Sequence, residues 1–310
     1  MDEVHQDRER GLELHKRTDN SPAGRILRGS IDGHVHFAPD IQPRRFTAIE
    51  AALAAREMGL RGIVIKSHSY PTGPLASMVS EIIPEIAVFG GICLDHEVGG
   101  LNAHAVEASA KLGGKIVWMP VFCSANSKAL IASRLGTEIA GDGISLLDVN
   151  GKLAPEVTEI LHIIKEYDMV LATGHISARE ILTLVDKAKQ LGIAKIVVTH
   201  AMSDFLSESI LTPDERQMLA KEGVLIEHCA WQISPTGGRT DPAEVAESIK
   251  REGPRNCIMS TDSGGVLHPN VPEGMRMFIG SMLKYGLSEE EVTYMVKLNP
   301  ARLLGLPPED

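Results

Sequence analysis

Twelve histidines are spread along this chain, and two of them stand two residues apart in Ser30-Ile31-Asp32-Gly33-His34-Val35-His36-Phe37. In a β-strand, residues i and i+2 project from one face, so both imidazoles can converge on one point. That geometry suits a metal ion. Imidazole is the commonest metal-binding side chain, and a strand holds two ligands at a fixed spacing better than a loop does. The ordinary alternative is a pair of structural histidines, hydrogen-bonded or partly exposed. Other apolar runs end in the same kind of residue. Val170-Leu171-Ala172-Thr173-Gly174-His175 and Ile196-Val197-Val198-Thr199-His200 each end in a histidine, and Cys257-Ile258-Met259-Ser260-Thr261-Asp262 ends in an aspartate. His68, His96 and His228 fall at or just beyond the ends of similar runs. Any one of these could be a strand-end residue bonded to a neighbouring loop. Together they would be gathered at one end of a parallel sheet.

The elements that must position these residues alternate along the chain. Apolar, β-branched runs over 30–37, 62–68, 86–95, 115–122, 169–175, 194–200, 224–229 and 257–262 predict eight strands. Amphipathic stretches between and after them predict helices over 47–58, 103–112, 155–167, 178–191, 213–221, 242–251, 272–285 and 288–298. Asp241-Pro242 reads as an N-cap followed by proline at the first helical position. The segment 71–83 is the weakest helix pattern. Strand-to-strand spacings of roughly 24 to 33 residues imply right-handed βαβ units, a parallel sheet and, with eight of them, a closed (β/α)8 TIM barrel of the α/β class. The competing open doubly wound sheet would carry a Gly-x-Gly-x-x-Gly or Walker A loop, and neither motif is present.

One interval is longer, about 54 residues between the starts of strands four and five. The excess falls in 124–154, where residues 144–153 read as a hairpin turned at Asn150-Gly151. This hairpin insertion after strand 4 is expected to form a lid or wall of a substrate pocket. Residues 1–28 read as a polar N-terminal leader with a short helix over 7–17, and 29–310 as a single barrel domain.

Composition sets further bounds. With 310 residues, 43% of them hydrophobic, the chain can bury a large core. A net charge of -10 argues against nucleic acid or an anionic membrane as partner, though a few local cations could still hold a small anionic substrate. Cys93, Cys123, Cys229 and Cys257 each lie in or beside an apolar run without Cys-x-x-Cys spacing, so buried reduced thiols of a cytoplasmic protein are expected. The charged N-terminus lacks a secretory apolar segment, and no apolar run reaches membrane-spanning length. A homo-oligomer is a default expectation only.

The order His-x-His on strand one, His on strands five and six, and Asp on strand eight resembles the amidohydrolase superfamily of metal-dependent hydrolases. Leu298-Asn299-Pro300-Ala301-Arg302-Leu303-Leu304-Gly305-Leu306 looks like the superfamily's closing segment. By that resemblance His34, His36, His175 and Asp262 would ligate the metal, and His200 would bind a second ion or orient water and substrate. Zinc is the expected metal, with manganese or iron as alternatives. Members with two metals often carry a carboxylated lysine or a glutamate on strand four. Here Lys115 is the only lysine of that strand and stands at its wrong end, so one ion is expected over two.

Lys66 is the candidate replacement, because Ile63-Val64-Ile65-Lys66-Ser67-His68 places it on one face with His68, and Glu97 after strand three is another. Three roles are open to Lys66: a carbamylated bridging ligand, a cation that binds a substrate carboxylate or phosphate, or a salt bridge to Asp40 or Glu97. Lys66, His68, His228, Arg44 and Arg45 could together form a substrate-binding patch, although the two arginines read as solvent-facing. A metal held by neutral imidazoles and one carboxylate keeps an open position at which water can ionise. Asp262 is then the natural proton acceptor, and His200 helps to stabilise a developing oxyanion. The expected activity is hydrolysis of an amide, cyclic amide, lactone or phosphoester of a small anionic molecule. The alternatives are a decarboxylase or deaminase on the same scaffold, or a non-catalytic metal-bound binding protein.

Overall fold

The computed structural model describes residues 19–307 apart from 137, 205 and 207; the helix expected over 7–17 lies outside them. Eight parallel strands follow in order: β1 (Ile31–His36), β2 (Gly62–Lys66), β3 (Ala87–Cys93), β4 (Gly114–Trp118), β5 (Val170–Ala172), β6 (Ile196–Val198), β7 (Leu225–Cys229) and β8 (Cys257–Ser260). Each pairs with the next. The ring closes where the Asp262 N–H donates to the His34 carbonyl at 2.9 Å and the His36 N–H to the Ser263 carbonyl at 2.7 Å.

The helices are α1 (Pro22–Leu27), α2 (Ala48–Glu57), α3 (Gly73–Ile82), α4 (Ala103–Lys111), α5 (Lys128–Leu135) and α6 (Pro155–Glu166). After them come α7 (Ala178–Gln190), α8 (Pro213–Lys221), α9 (Pro242–Glu252), α10 (Val271–Lys284), α11 (Glu289–Thr293) and α12 (Asn299–Leu304). Their starts are written locally. Thr47, Ser177, Thr212 and Ser288 cap α2, α7, α8 and α11, each in a reciprocal capping box with the glutamate three residues on. The weakly patterned segment 71–83 contains α3, with Pro74 in its first turn.

Two apolar layers result. Helix faces and outward strand residues form the larger core. Val64, Cys93, Ile116, Trp118, Val170, Ala172, Val197 and Ile258 fill the barrel interior, where Leu303 and Leu304 of α12 pack with them. α12 is tied to the start of β8, since Asn299 donates to the Cys257 carbonyl at 2.7 Å. Within the stretch read as a leader, Ala23, Ile26 and Leu27 of α1 are buried.

Between β4 and α6, Leu147 and Leu153 form one antiparallel bridge. The Asp148 carboxylate gathers the N–H groups of Asn150 and Lys152 at 2.8 and 2.9 Å. This turn is pinned to α7 by Glu180, which accepts from the Leu146 N–H at 2.8 Å. It takes no part in lining the polar cavity at the barrel mouth, where the insertion is represented by Arg134.

Candidate functional site

All the strands but β7 end one to four residues earlier than their apolar runs, and the ends turn over the barrel mouth. Gly174, His200 and Asp262 have φ of 60°, 27° and 54°. Left-handed backbone at a histidine and an aspartate is costly and is held here by the surrounding barrel. It aims His175, His200 and Asp262 across the mouth toward β1. Asp32 pins that junction, since its buried carboxylate accepts the Thr261 hydroxyl and the N–H groups of Thr261 (3.0 Å) and His34 (3.2 Å). Burial raises its pKa to about 7 against the pull of those bonds.

His34 Nε2 and His36 Nε2 lie 3.3 and 3.2 Å from Asp262 Oδ1. His175 Nε2 is 2.9 Å from His200 Nε2, and the His34 and His200 rings stack at 5.9 Å. All five residues are nearly sealed from solvent at the base of a cavity of about 390 Å³. Among the described residues His34, His36 and Asp262 form a group whose ligand atoms could share one ion. The donor set fits a divalent metal on protonation grounds too. Burial pushes the pKa values of His36 and His175 well below the usual imidazole value and that of His200 to about 4, so these rings are neutral. Burial also pushes Asp262 up, but the electrostatic pull of His34 and the hydrogen bond with His36 outweigh it and keep the carboxylate ionised. Neutral imidazoles around an anionic oxygen are the state that coordination requires.

Glu227 on β7 supplies the support. Its carboxylate is 3.4 Å from His34 Nδ1 and accepts the His200 N–H at 3.1 Å. A carboxylate only accepts, so the His34 proton is assigned to Nδ1 and Nε2 turns its lone pair toward Asp262 and the cavity. Burial opposes the charge on Glu227, yet the electrostatic pull and hydrogen bond of His34 bring its pKa down to about 2.

Lys66 is fully buried, with Nζ 3.1 Å from His34 Nε2 and 5.2 Å from the centre of the Trp118 ring. The salt bridge considered for it is not formed. Asp40 is taken by Arg44 at 2.6 Å, and Glu97 is exposed on a short turn after β3. His68 sits between His36 and Phe122, stacked at 4.9 and 4.0 Å. Its Nδ1 meets Asp95 at 3.2 Å, and Asp95 also accepts the N–H groups of Val121 and Cys123 at 2.9 Å each. His68 thus lines the cavity.

His228 does not. It is wholly buried on the outer side of β7, 2.7 Å from Glu252 of α9, which also holds Arg216 of α8 at 2.7 Å. Adjacent strand residues face opposite ways, so with Glu227 turned inward His228 must turn outward. The Arg44 side chain is 9% exposed and lines the cavity; Arg45 is exposed and donates to the His268 carbonyl. Arg134, Arg239, His268 and Trp231 complete the wall without having been singled out in the sequence. Glu227 did leave a signal, an ionisable residue inside an apolar run.

The architecture is that of amidohydrolase-family structures. It superposes on an amidohydrolase from Pseudomonas aeruginosa with a TM-score of 0.62 at 12% identity, covering 92% of this chain and 98% of that one. A probable dipeptidase from the same organism gives 0.62 at 13% identity over 96% and 97% of the two chains. A probable 2-pyrone-4,6-dicarboxylic acid hydrolase from Acinetobacter baumannii, solved with citric acid bound, gives 0.58 at 14% over 90% and 100%. By sequence, the chain belongs to the family of unknown function DUF6282, whose model matches residues 29–227. No curated protein matches the sequence.

Proposed function

We propose that this protein is a metal-dependent hydrolase that cleaves an amide, cyclic amide, lactone or phosphoester bond of a small anionic molecule. The observation that carries this reading is the convergence of His34 Nε2, His36 Nε2 and Asp262 Oδ1 at the base of a cavity walled by Arg44, Lys66 and Arg239. His34, His36 and Asp262 would hold the ion, with His175 and His200 beside them to complete its shell or receive a second one. When bound, a divalent metal supplies a water that ionises near neutral pH and a Lewis acid for the scissile oxygen. Zinc suits this imidazole-rich set, and manganese or iron fit it as well.

Asp262 then accepts the proton of the attacking water at a carboxylate oxygen and returns it to the leaving group. Glu227 keeps His34 in the Nδ1–H form and anchors the start of the His200 turn. His200 and His68 face the cavity as hydrogen-bond partners for the oxygen that gains charge. The Lys66 ammonium and the Arg44 guanidinium attract the anionic end of the substrate. Carbamylation of Lys66 is the other role open to that side chain, and mass measurement of the intact protein distinguishes it. Four unpaired, buried cysteines agree with a cytoplasmic location within this reading.

Screening protein loaded with zinc, manganese or iron against amides, lactones, phosphoesters and aromatic acids tests the proposal. Water-dependent cleavage of one of the first three classes is expected. Release of carbon dioxide or ammonia without such cleavage would assign the site to decarboxylation or deamination.

A further inference from the structure

Next to the metal cavity lies a second pocket of about 200 Å³, built by the segments that follow β7 and β8. Its walls are apolar: Trp231, Ile233, Pro242, Pro269, Met277 and Phe278. Trp231 and His268 line both spaces, and Thr261 and Ser263, the two neighbours of Asp262, line the pocket from behind the reacting centre. The metal cavity offers cations, whereas this pocket offers apolar surface and a few hydroxyls. A volume of this size holds roughly six waters, and waters against such walls are readily displaced by an apolar group.

We propose that this side pocket receives the alkyl or aryl group of the substrate, which makes the substrates small carboxylate-bearing amides with an apolar acyl group. The inference rests on the metal cavity being the reaction chamber. The anionic end pairs with Arg44 and Lys66, the scissile carbonyl faces Asp262, and the acyl chain passes the Trp231–His268 partition. Phe278 at the pocket wall is fully buried and Met277 on the same helix is 55% exposed, so the space has depth and a solvent-facing rim. That shape fits a side chain of a small molecule.

A homologous series of N-acylglycines, from acetyl to octanoyl, tests this on zinc-loaded full-length protein by calorimetric binding and by kcat/KM. Affinity is expected to rise about fourfold per added methylene until the pocket is full, since each buried methylene carries about that factor. Met277→Trp, which fills the rim, is expected to cut the octanoyl-to-acetyl affinity ratio at least tenfold. Ser281→Leu, one helical turn on, does the same should the tryptophan variant fail to fold. The matching N-acylglycinamides, lacking the carboxylate, are expected to bind more weakly with the same chain-length slope. A flat chain-length dependence in the wild type, or a slope that both variants leave unchanged, overturns the proposal. A slope in binding with no turnover of any member supports the pocket while counting against hydrolysis as the activity.

Discussion

Glu227→Gln is the sharpest test of how this site is organised. The carboxylate touches no substrate-facing space; it acts through His34 Nδ1 at 3.4 Å and the His200 N–H at 3.1 Å. Its pKa falls from an ordinary 4.5 to about 2, so the folded protein favours the ionised form by about 3 kcal/mol at roughly 1.36 kcal/mol per unit. A depressed acid contributes that stability in full above 4.5 and loses it as the pH falls through about 2. At neutral pH the neutral amide forfeits it, and 3 kcal/mol is an upper bound because the amide oxygen can still accept the His200 N–H. The same charge fixes the His34 tautomer and raises the basicity of Nε2. Metal affinity should therefore drop about 10- to 100-fold, with a parallel loss in kcat/KM. Competition with a chromophoric chelator measures the first, and steady-state kinetics at saturating metal the second. A glutamine variant with wild-type metal affinity and wild-type kcat/KM would refute the argument that Glu227 orients His34.

Four further outcomes are expected. Asp262→Asn should keep the fold and lose about 10²- to 10⁴-fold in turnover; near wild-type rates with unchanged metal content would remove Asp262 from the proton transfer. Dialysis against a strong chelator should abolish turnover and added zinc, manganese or iron restore it, while full activity in rigorously metal-free protein would contradict the ligand set. In Glu252→Gln the buried His228–Glu252–Arg216 network loses its anion, whose pKa burial raises but the charge and hydrogen bond of His228 bring down to about 2. That costs about 3 kcal/mol near neutral pH with little change in KM. Because the pKa is depressed, the stability gap from wild type should close as pH falls from 4.5 toward 2, and a gap that stays constant in acid melts would show the charge is not its source. Gly264→Ala should destabilise by about 2 kcal/mol or more, since Gly264 has φ of 143° and a Cβ there would collide with the His36 carbonyl; a variant with wild-type melting temperature would show that this loop moves freely.

The positions of all eight strands can be read from the chain because each is a short apolar, β-branched run, bounded by polar or glycine-containing segments. Their ends are less legible. The ladder stops at Ala172, Val198 and Ser260, short of His175, His200 and Asp262, because the backbone turns left-handed there to reach the mouth. α3 is faint in the sequence because it opens on Gly73-Pro74 and carries no charged residue until Glu81. Arg44 reads as a solvent-facing loop residue, yet an antiparallel bridge between Arg44 and Gly265 carries it into the cavity. Arg134, Arg239 and His268 come from loops whose paths no periodicity encodes.

That His34 and His36 share one face, as a metal half-site would require, is legible from sequence alone, because a strand repeats every two residues wherever it lies. The alternation of eight apolar runs with helical stretches likewise implies the barrel that gathers the histidine- and aspartate-ended runs at one end. Which side of β7 faces that half-site is a different kind of fact. Parallel barrel strands are apolar on both faces, so the run Leu225-Ile226-Glu227-His228-Cys229 carries no alternation from which to choose inside from outside. Only the register with β6 and β8 turns Glu227 toward His34 and sends His228 out to Glu252. Tertiary structure also decided that Lys66 meets His34 and Trp118 rather than a carboxylate, because its partners depend on how three separate strands close the barrel.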